Sequence, residues 1–209
     1  MKKKLYIFPH GGNGIEALDC LREDMYDFKG FIDDQKAGTP GIFGHTIYDR
    51  SVLKNDPEAF LLAVPGSPAG FLKRREIIQS LGISAERLVS VIHPGAHIGK
   101  HVKIGRNCLI MAGVVITSNA QLGDHVCILP NSVIHHDVKI GDYTLIGSKV
   151  GIAGTVQVGE NCYIGSGTNI INNITIGEKT LIGLGSNVIR DVPPHSRIAG
   201  NPARPVAKK

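Results

Sequence analysis

Within the run Val133-Ile134-His135-His136-Asp137-Val138 a histidine is followed directly by a carboxylate. A carboxylate that accepts from imidazole Nδ1–H fixes the tautomer and leaves Nε2 free to take a proton. Residues adjacent on a flat strand point to opposite faces, so His136 and Asp137 can meet only at a corner of the chain path. His135 is expected to cover the exterior, and His93, His97, His101 and His125 are expected to be solvated surface residues. No Ser or Cys sits in a nucleophile–base motif, so the chemistry expected is direct, with the base taking a proton while the attacking atom forms its bond. A zinc site needs several protein ligands converging on one ion. His101 and His136 are 35 residues apart, and neither His125 nor His135 completes a set, so no metal is expected.

A second constellation lies near the N-terminus. Leu5-Tyr6-Ile7-Phe8 has the texture of a buried strand and runs into Pro9-His10-Gly11-Gly12-Asn13-Gly14. A glycine loop between a strand and a helix lets backbone N–H groups approach phosphate. Asp33 and Asp34 end the next strand, where an acid can bind ribose hydroxyls, and Gly66 ends a third. A plain tight turn explains the glycines alone equally well, and the carboxylates could simply open the turn Gln35-Lys36-Ala37-Gly38. The convergence of three loops at one sheet edge favours a ligand.

The elements that must position these groups fall into two parts. Ile, Leu or Val returns every sixth residue from Ile92 to Val188, giving 17 hexads that end at Pro193. Glycine follows the aliphatic in nine of them, and the fifth place is always small or β-branched. No helix keeps a period of six. The pattern predicts a parallel β-helix in which each hexad is one side of a triangular coil and three hexads make an 18-residue turn, near six coils in all. Residues 18 apart then share a column, so His136 stacks under Gly154 and then Asn172, and Ser148, Ser166 and Leu184 form another. Before Ile92 the spacing predicts strands at Leu5–Phe8, Gly30–Ile32 and Phe60–Val64. It also predicts helices over Ile15–Glu23 and, carrying Lys73, Arg74 and Arg75, over Gly70–Leu81. Such alternation predicts a small parallel α/β sheet of Rossmann-like type over residues 1–88, packed rigidly on residues 89–209.

The composition is compatible with this division. The chain has 209 residues, no Trp, 42% hydrophobic residues and a net charge of +5. No basic run interleaved with aromatics points to nucleic acid, and the surplus charge suits small polyanions such as nucleotides and coenzyme A. Cys108 and Cys162 fill fifth places three coils apart, too far for a disulfide. Together with the absence of a C-x-x-C pair, this predicts a cytoplasmic location. No membrane span or signal-peptide core is expected.

Taken together, these features resemble the bacterial hexapeptide-repeat (left-handed β-helix) sugar acyltransferase family. The similarity is to the subgroup of sialic acid O-acetyltransferases and nucleotide-linked amino-sugar N-acetyltransferases. The residues that carry it are Ile7-Phe8-Pro9-His10-Gly11-Gly12-Asn13-Gly14, Asp33-Asp34, Ala63-Val64-Pro65-Gly66, the unbroken hexads, Ser132 to Asp137, and the tail Ala199-Gly200-Asn201-Pro202-Ala203-Arg204. Two departures stand out. Family loops often read Ser-Gly-His where this chain has Gly11-Gly12-Asn13, and Leu145 stands where some members place a second histidine.

The resemblance implies a homotrimer with sites between subunits, a nucleotide-sugar acceptor held by the N-terminal domain, and acetyl-CoA in the groove between coils. It implies His136 as general base, with Asp137 raising its basicity. Gly11, Gly12, Asn13, Asp33, Asp34 and Gly66 would contact the acceptor, and Gly154, Ser166 and Leu184 would line the acetyl-CoA path. The expected function is acetyl transfer to the amino group of a nucleotide-linked sugar, of the 4-amino type, for bacterial surface glycan or glycoprotein synthesis. O-acetylation of a sugar hydroxyl, a non-catalytic nucleotide-sugar-binding scaffold and a zinc hydratase are the competing readings.

Overall fold

The computed structural model describes residues 2–207. Four strands, β1 (Lys3–Phe8), β2 (Tyr26–Ile32), β3 (Ile47–Tyr48) and β4 (Phe60–Ala63), form a parallel sheet in the order β3-β2-β1-β4. Both faces of the sheet are covered, which is why its central strands read as continuous apolar runs rather than alternating ones. Leu5, Ile7, Phe31 and Leu62 pack toward the repeat, against Leu109, Cys127, Leu145 and Tyr163. Tyr6, Phe8, Leu61 and Ala63 pack on the other face, with Ile78 and Leu81.

The helices are shorter than their spacing predicts. The first is Gly12–Glu16 followed by a 3₁₀ turn at Ala17–Cys20, and it stops because Leu21 is extended, with ψ 132°. The second is a 3₁₀ turn at Phe71–Lys73 leading into Arg74–Gln79. The strand expected at Gly30 starts earlier, at Tyr26, and β3 was not expected at all. Two residues are too few to carry a periodicity.

The sheet hands over to the repeat without a linker. Val89 donates to the Leu61 carbonyl at the edge of β4, and two residues later Val91 donates to Cys108 in the coil above. From there 17 two-residue strands follow at six-residue intervals, from Val91–Ile92 to Asn187–Val188. They form three parallel sheets, the sides of a prism. The first side starts at Val91–Ile92, the second at His97–Ile98 and the third at Lys103–Ile104. Partners lie 18 residues apart, as in Ile134 with Ile152 and Ile152 with Ile170. The register changes at the end, where Ile182 pairs with Ile198 and Ile176 with Val192. The last turn is thus two residues short, so Val192 faces Ile176 instead of continuing the fifth-place column.

Inward residues such as Ile110, Ile128, Ile146 and Ile164 are fully buried. Each corner carries a residue in left-handed backbone conformation, for example Asn119, Asp137 and Asn173 at φ 61–62°, the region that Asn, Asp and Gly tolerate best. Glycine after the aliphatic has a steric cause. A Cβ on Gly123 would lie 2.1 Å from Asp142 Oδ1 of the next coil.

The N-terminal unit is bolted to the first side and to the corner between the third and first sides. Arg74 is completely buried there. Its guanidinium donates to the carbonyls of Tyr143 (3.0 Å), His125 (2.7 Å) and Pro65. The helix expected to carry three basic residues therefore buries one of them. Arg75 lies over the Tyr143 ring and pairs with Glu160. This corner also corrects the expectation that His125 is solvated. His125 is only 9% exposed, stacks on Tyr143 with centroids 4.4 Å apart, and its Nδ1 lies 2.9 Å from Asn107 Nδ2. Asn107 in turn exchanges two hydrogen bonds with Ala63 of β4. The reason is tertiary, because the N-terminal unit rests on this corner, while His93, beside the same unit, is only half-buried.

Burial holds the His125 imidazole below its ordinary pKa of 6.5, and nearby Arg74 lowers it further. The unfolded chain then binds the extra proton first, so stability from this group is full above about pH 6.5 and is lost as pH falls. We expect urea midpoints to drop on acidification through that window. The drop should be smaller in His125→Asn, which keeps a residue tolerant of φ 63° but cannot titrate.

Candidate active site

His136 and Asp137 occupy the turn between Val133–Ile134 of the second side and Lys139–Ile140 of the third. At φ 61° Asp137 turns the backbone back on itself, and the two side chains meet, His136 Nδ1 lying 2.8 Å from Asp137 Oδ2. The strand geometry that would separate neighbours does not apply at a corner. An ionised carboxylate only accepts, so Nδ1 carries the proton and Nε2 is left with its lone pair. Asp137 Oδ1 accepts from Asn119 Nδ2 at 2.6 Å. Asn119 first and His136 second hold the Asp137 carboxyl below the usual carboxylate range. His136 is exposed, with 60% of its side chain open, so Nε2 can meet another molecule.

Gly154 lies one coil above the histidine. A Cβ there would fall 2.5 Å from His136 Nε2, so only glycine leaves the ring in place. Arg190 follows the last second-side strand and tops the same corner. Beside it is a cavity of about 290 Å³ lined in part by Ile189, Pro193, Ala203 and Arg204. The coils between His136 and Arg190 span roughly 14 Å at the usual spacing of strands.

The N-terminal candidates gather at the carboxyl edge of the sheet. Gly11 and Gly12 face open space, since a Cβ on Gly12 would meet nothing within 4 Å. Gly12 and Asn13 open the first helix, whose leading N–H groups have no partner within the helix. Asn13 Nδ2 reaches the Val64 carbonyl at 3.4 Å, and Gly66 lies against Asn13, Arg74 and Leu145. Asp33 accepts from the Gln35 amide, and Lys36 links Asp33 to the His10 carbonyl. Asp34 is held by the Arg50 amide and guanidinium. The turn reading thus describes a real contact of Asp33, whereas Asp34 pairs outside the turn, and Asp33, only 15% exposed, stays next to the glycine loop.

The structure does not bring all the predicted residues together on one chain. Gly154 shares the corner of His136, whereas Ser166 and Leu184 lie at the corner between the first and second sides. Ser166 Oγ accepts from the Ser148 amide, and Leu184 is 70% exposed. Two site residues escaped the sequence reading. Asn119 precedes Asp137 by 18 residues, so the column rule could have found it. Arg190 lies 18 residues after Asn172, so the same rule reaches it, and the register shortens only beyond it, at Val192. All four cysteines are buried and unpaired, with Cys20 and Cys127 pushed up to about 12 by burial, so none is a ready nucleophile. Among the described residues no group of three His, Cys, Asp or Glu side chains could hold a metal ion.

Residues 89–118 and 119–154 match the bacterial transferase hexapeptide family (six repeats). No curated protein matches the chain in sequence. Among solved structures the chain is similar to PerB from Caulobacter crescentus, crystallised with CoA and GDP-perosamine. The identity is 27% and the TM-score 0.85, over 99% of this chain and 98% of that one. It is also similar to the acetyltransferase domain of PglB from Neisseria gonorrhoeae, at 25% identity and TM-score 0.86, over 98% and 100% of the two chains. That domain has also been solved with acetyl coenzyme A. WeeI from Acinetobacter baumannii shares the fold at 19% identity and TM-score 0.73, over 99% and 100%. The likeness therefore includes the N-terminal unit as well as the repeat.

The glycine loop yields a direct contrast. A Cβ on Gly14 would lie 2.1 Å from the Pro9 carbonyl oxygen. Gly14→Ala should destabilise the chain by about 1–3 kcal/mol, whereas Gly12→Ala should stay within about 1 kcal/mol of the parent. Urea denaturation of the two variants checks this.

Proposed function

We propose that this left-handed hexapeptide-repeat chain transfers an acetyl group from acetyl-CoA to the amino group of a nucleotide-linked amino-sugar. The observation that carries the reading is the His136–Asp137 pair beneath Gly154, in a chain alike over its whole length to structures solved with CoA, acetyl-CoA and GDP-perosamine. A sugar of the 4-amino type and a role in surface glycan or glycoprotein synthesis are part of this proposal.

In the mechanism, His136 Nε2 takes a proton from the sugar amine as its nitrogen attacks the thioester carbonyl. The tetrahedral intermediate collapses with cleavage of the C–S bond, and the proton on His136 passes to the departing thiolate. Asp137 stabilises the imidazolium formed on the way. Positioned base catalysis contributes about 10²–10⁴-fold, and orientation of the two substrates supplies much of the remainder. The backbone N–H at Gly154 is assigned to the developing oxyanion. The pantetheine arm would run up the glycine corner, toward Arg190 and Arg204 for its phosphates.

The N-terminal loops and His136 belong to opposite parts of one chain. The N-terminal sheet covers the first side of the prism, and the His136 corner joins the other two. One chain cannot present its own acceptor loops to its own histidine, so we assign the active form to a homotrimer with each site shared between copies. Exposed Ile171, Leu184 and Ile189, at 47%, 70% and 47%, lie along or beside the second side, where a copy would cover them. In such an arrangement Gly154 of one copy faces Ser166 and Leu184 of the next across the acetyl-CoA groove. Residues 1–88 form the nucleotide-sugar domain, with Gly11, Gly12, Asn13, Asp33, Asp34 and Gly66 around the acceptor, and residues 89–209 form the transfer domain. No described helix is long and apolar enough to cross a membrane, and the unpaired cysteines support assignment to the cytoplasm.

The test is thiol release from acetyl-CoA with a panel of nucleotide-linked amino and non-amino sugars. Turnover with an amino-sugar is expected. Turnover on hydroxyl acceptors alone would move the assignment to O-acetylation, and nucleotide binding without any turnover would favour a scaffold. His136→Ala should lower kcat by at least about 10²-fold with the trimer intact. Gly154→Ala should cost a similar factor by displacing the imidazole, and full activity in either variant would remove that residue from the mechanism.

A further inference from the structure

We propose that Asn119 is a positioning residue of the transfer site, acting through Asp137 to hold the rotation and tautomer of the His136 imidazole. The inference rests on the reading of His136 as the base. Asn119 sits one coil below Asp137 in the same corner column, and both have left-handed backbone, φ 62° and 61°. Its amide donates to Asp137 Oδ1 at 2.6 Å while Oδ2 faces His136 Nδ1 at 2.8 Å. The assignment of the amide is settled by chemistry, since an ionised carboxylate offers no proton and only the NH₂ group can make this contact.

The geometry leaves Asp137 with one oxygen for each partner. The terminal torsion of an aspartate is broad and roughly two-fold, so a carboxylate at an exposed corner has little of its own to hold it. With 46% of its side chain exposed, Asp137 is not clamped by packing. Asn119 supplies the missing restraint. When it is bonded to Oδ1, Oδ2 remains directed at Nδ1, the proton stays on that nitrogen, and Nε2 stays beneath Gly154. Without the amide, the carboxylate rotates, the two imidazole tautomers mix, and the base is correctly arranged for only part of the time.

Side chains are also laddered elsewhere along this corner, as in the hydrogen bond from Thr155 to Asn173. The amide of Thr155 donates to the His136 carbonyl, but the side-chain contact of this pair is with each other and not with the imidazole or the Asp137 carboxylate, so a purely structural ladder would hold the corner without fixing the ring. The two roles therefore differ in what the imidazole reports.

Two variants of the full chain test the proposal. Asn119→Gly removes the amide at a position whose backbone glycine adopts freely, and Asn119→Asp keeps the size while replacing the donor with an acceptor. In ¹⁵N-labelled protein, the ring nitrogens of His136 give the tautomer and its titration without any substrate. The parent should show a proton fixed on Nδ1. Both variants should show mixed tautomers and a titration midpoint moved by about half a unit or more. With acetyl-CoA and the acceptor found in the panel, kcat should fall about tenfold, a share of what a positioned base contributes, with both KM values within about twofold. An unchanged tautomer and midpoint in both variants would overturn the role of Asn119. Full activity of His136→Ala would instead overturn the base assignment, and the nitrogen shifts would still report whether Asn119 orients the ring.

Discussion

Backbone hydrogen bonds between residues 18 apart govern this molecule. Each two-residue strand bonds to the coils above and below, so its side chains are stacked into columns that run the length of the prism. Columns of Ile, Val and Leu fill the interior, and the corner columns carry whatever polar groups the surface requires. The catalytic candidates inherit their geometry from this register. His136 is placed under Gly154, and Asp137 over Asn119, by the same bonds that hold Ile134 under Ile152. No flexible loop has to be ordered before the His–Asp pair can form, which suits a base that must be oriented before the substrates meet.

A different solution joins the two parts of the chain. The N-terminal sheet has too little area to bury both faces on its own helices, and it uses the first side of the prism as a second cover. Arg74 is central to that contact. A fully buried guanidinium is costly unless its donors are matched, and here they meet carbonyls of Tyr143, His125 and Pro65. The Pro65 contact reaches the loop that carries Gly66, so the bolt between the units also sets the position of that loop.

The two halves of the proposed chemistry are separated by the prism itself. The acceptor loops sit over the first side, and the base sits at the corner across from it. On the proposed reading a chain built this way is incomplete alone, and association of copies would create the site as well as bury apolar surface along the second side. The departure at Leu145 belongs here too. Leu145 is 3% exposed and packs beneath Gly66, so in this chain the position supports the Gly66 loop with apolar contact.

The sequence by itself determined the repeat, its inward residues and the columns, because a period of six with aliphatics at every first place has one compatible architecture. It also determined that His136 has a carboxylate neighbour and a glycine above it, since both follow from counting. Local features such as the short helices and the two-residue strand β3 were illegible, because so few residues carry no pattern. Whether adjacent residues 136 and 137 could touch depended on a left-handed corner. His125 looked like its neighbours in the repeat and became a buried interface residue only because the N-terminal unit rests on that corner. Ser166 and Leu184 share a hexad place with Gly154, and counting by 18 had already put them in a separate column, at another corner. The burial of His125 was decided by which corner of the prism is covered. That depends on how two units with separate patterns pack, and periodicity within either unit carries no record of it.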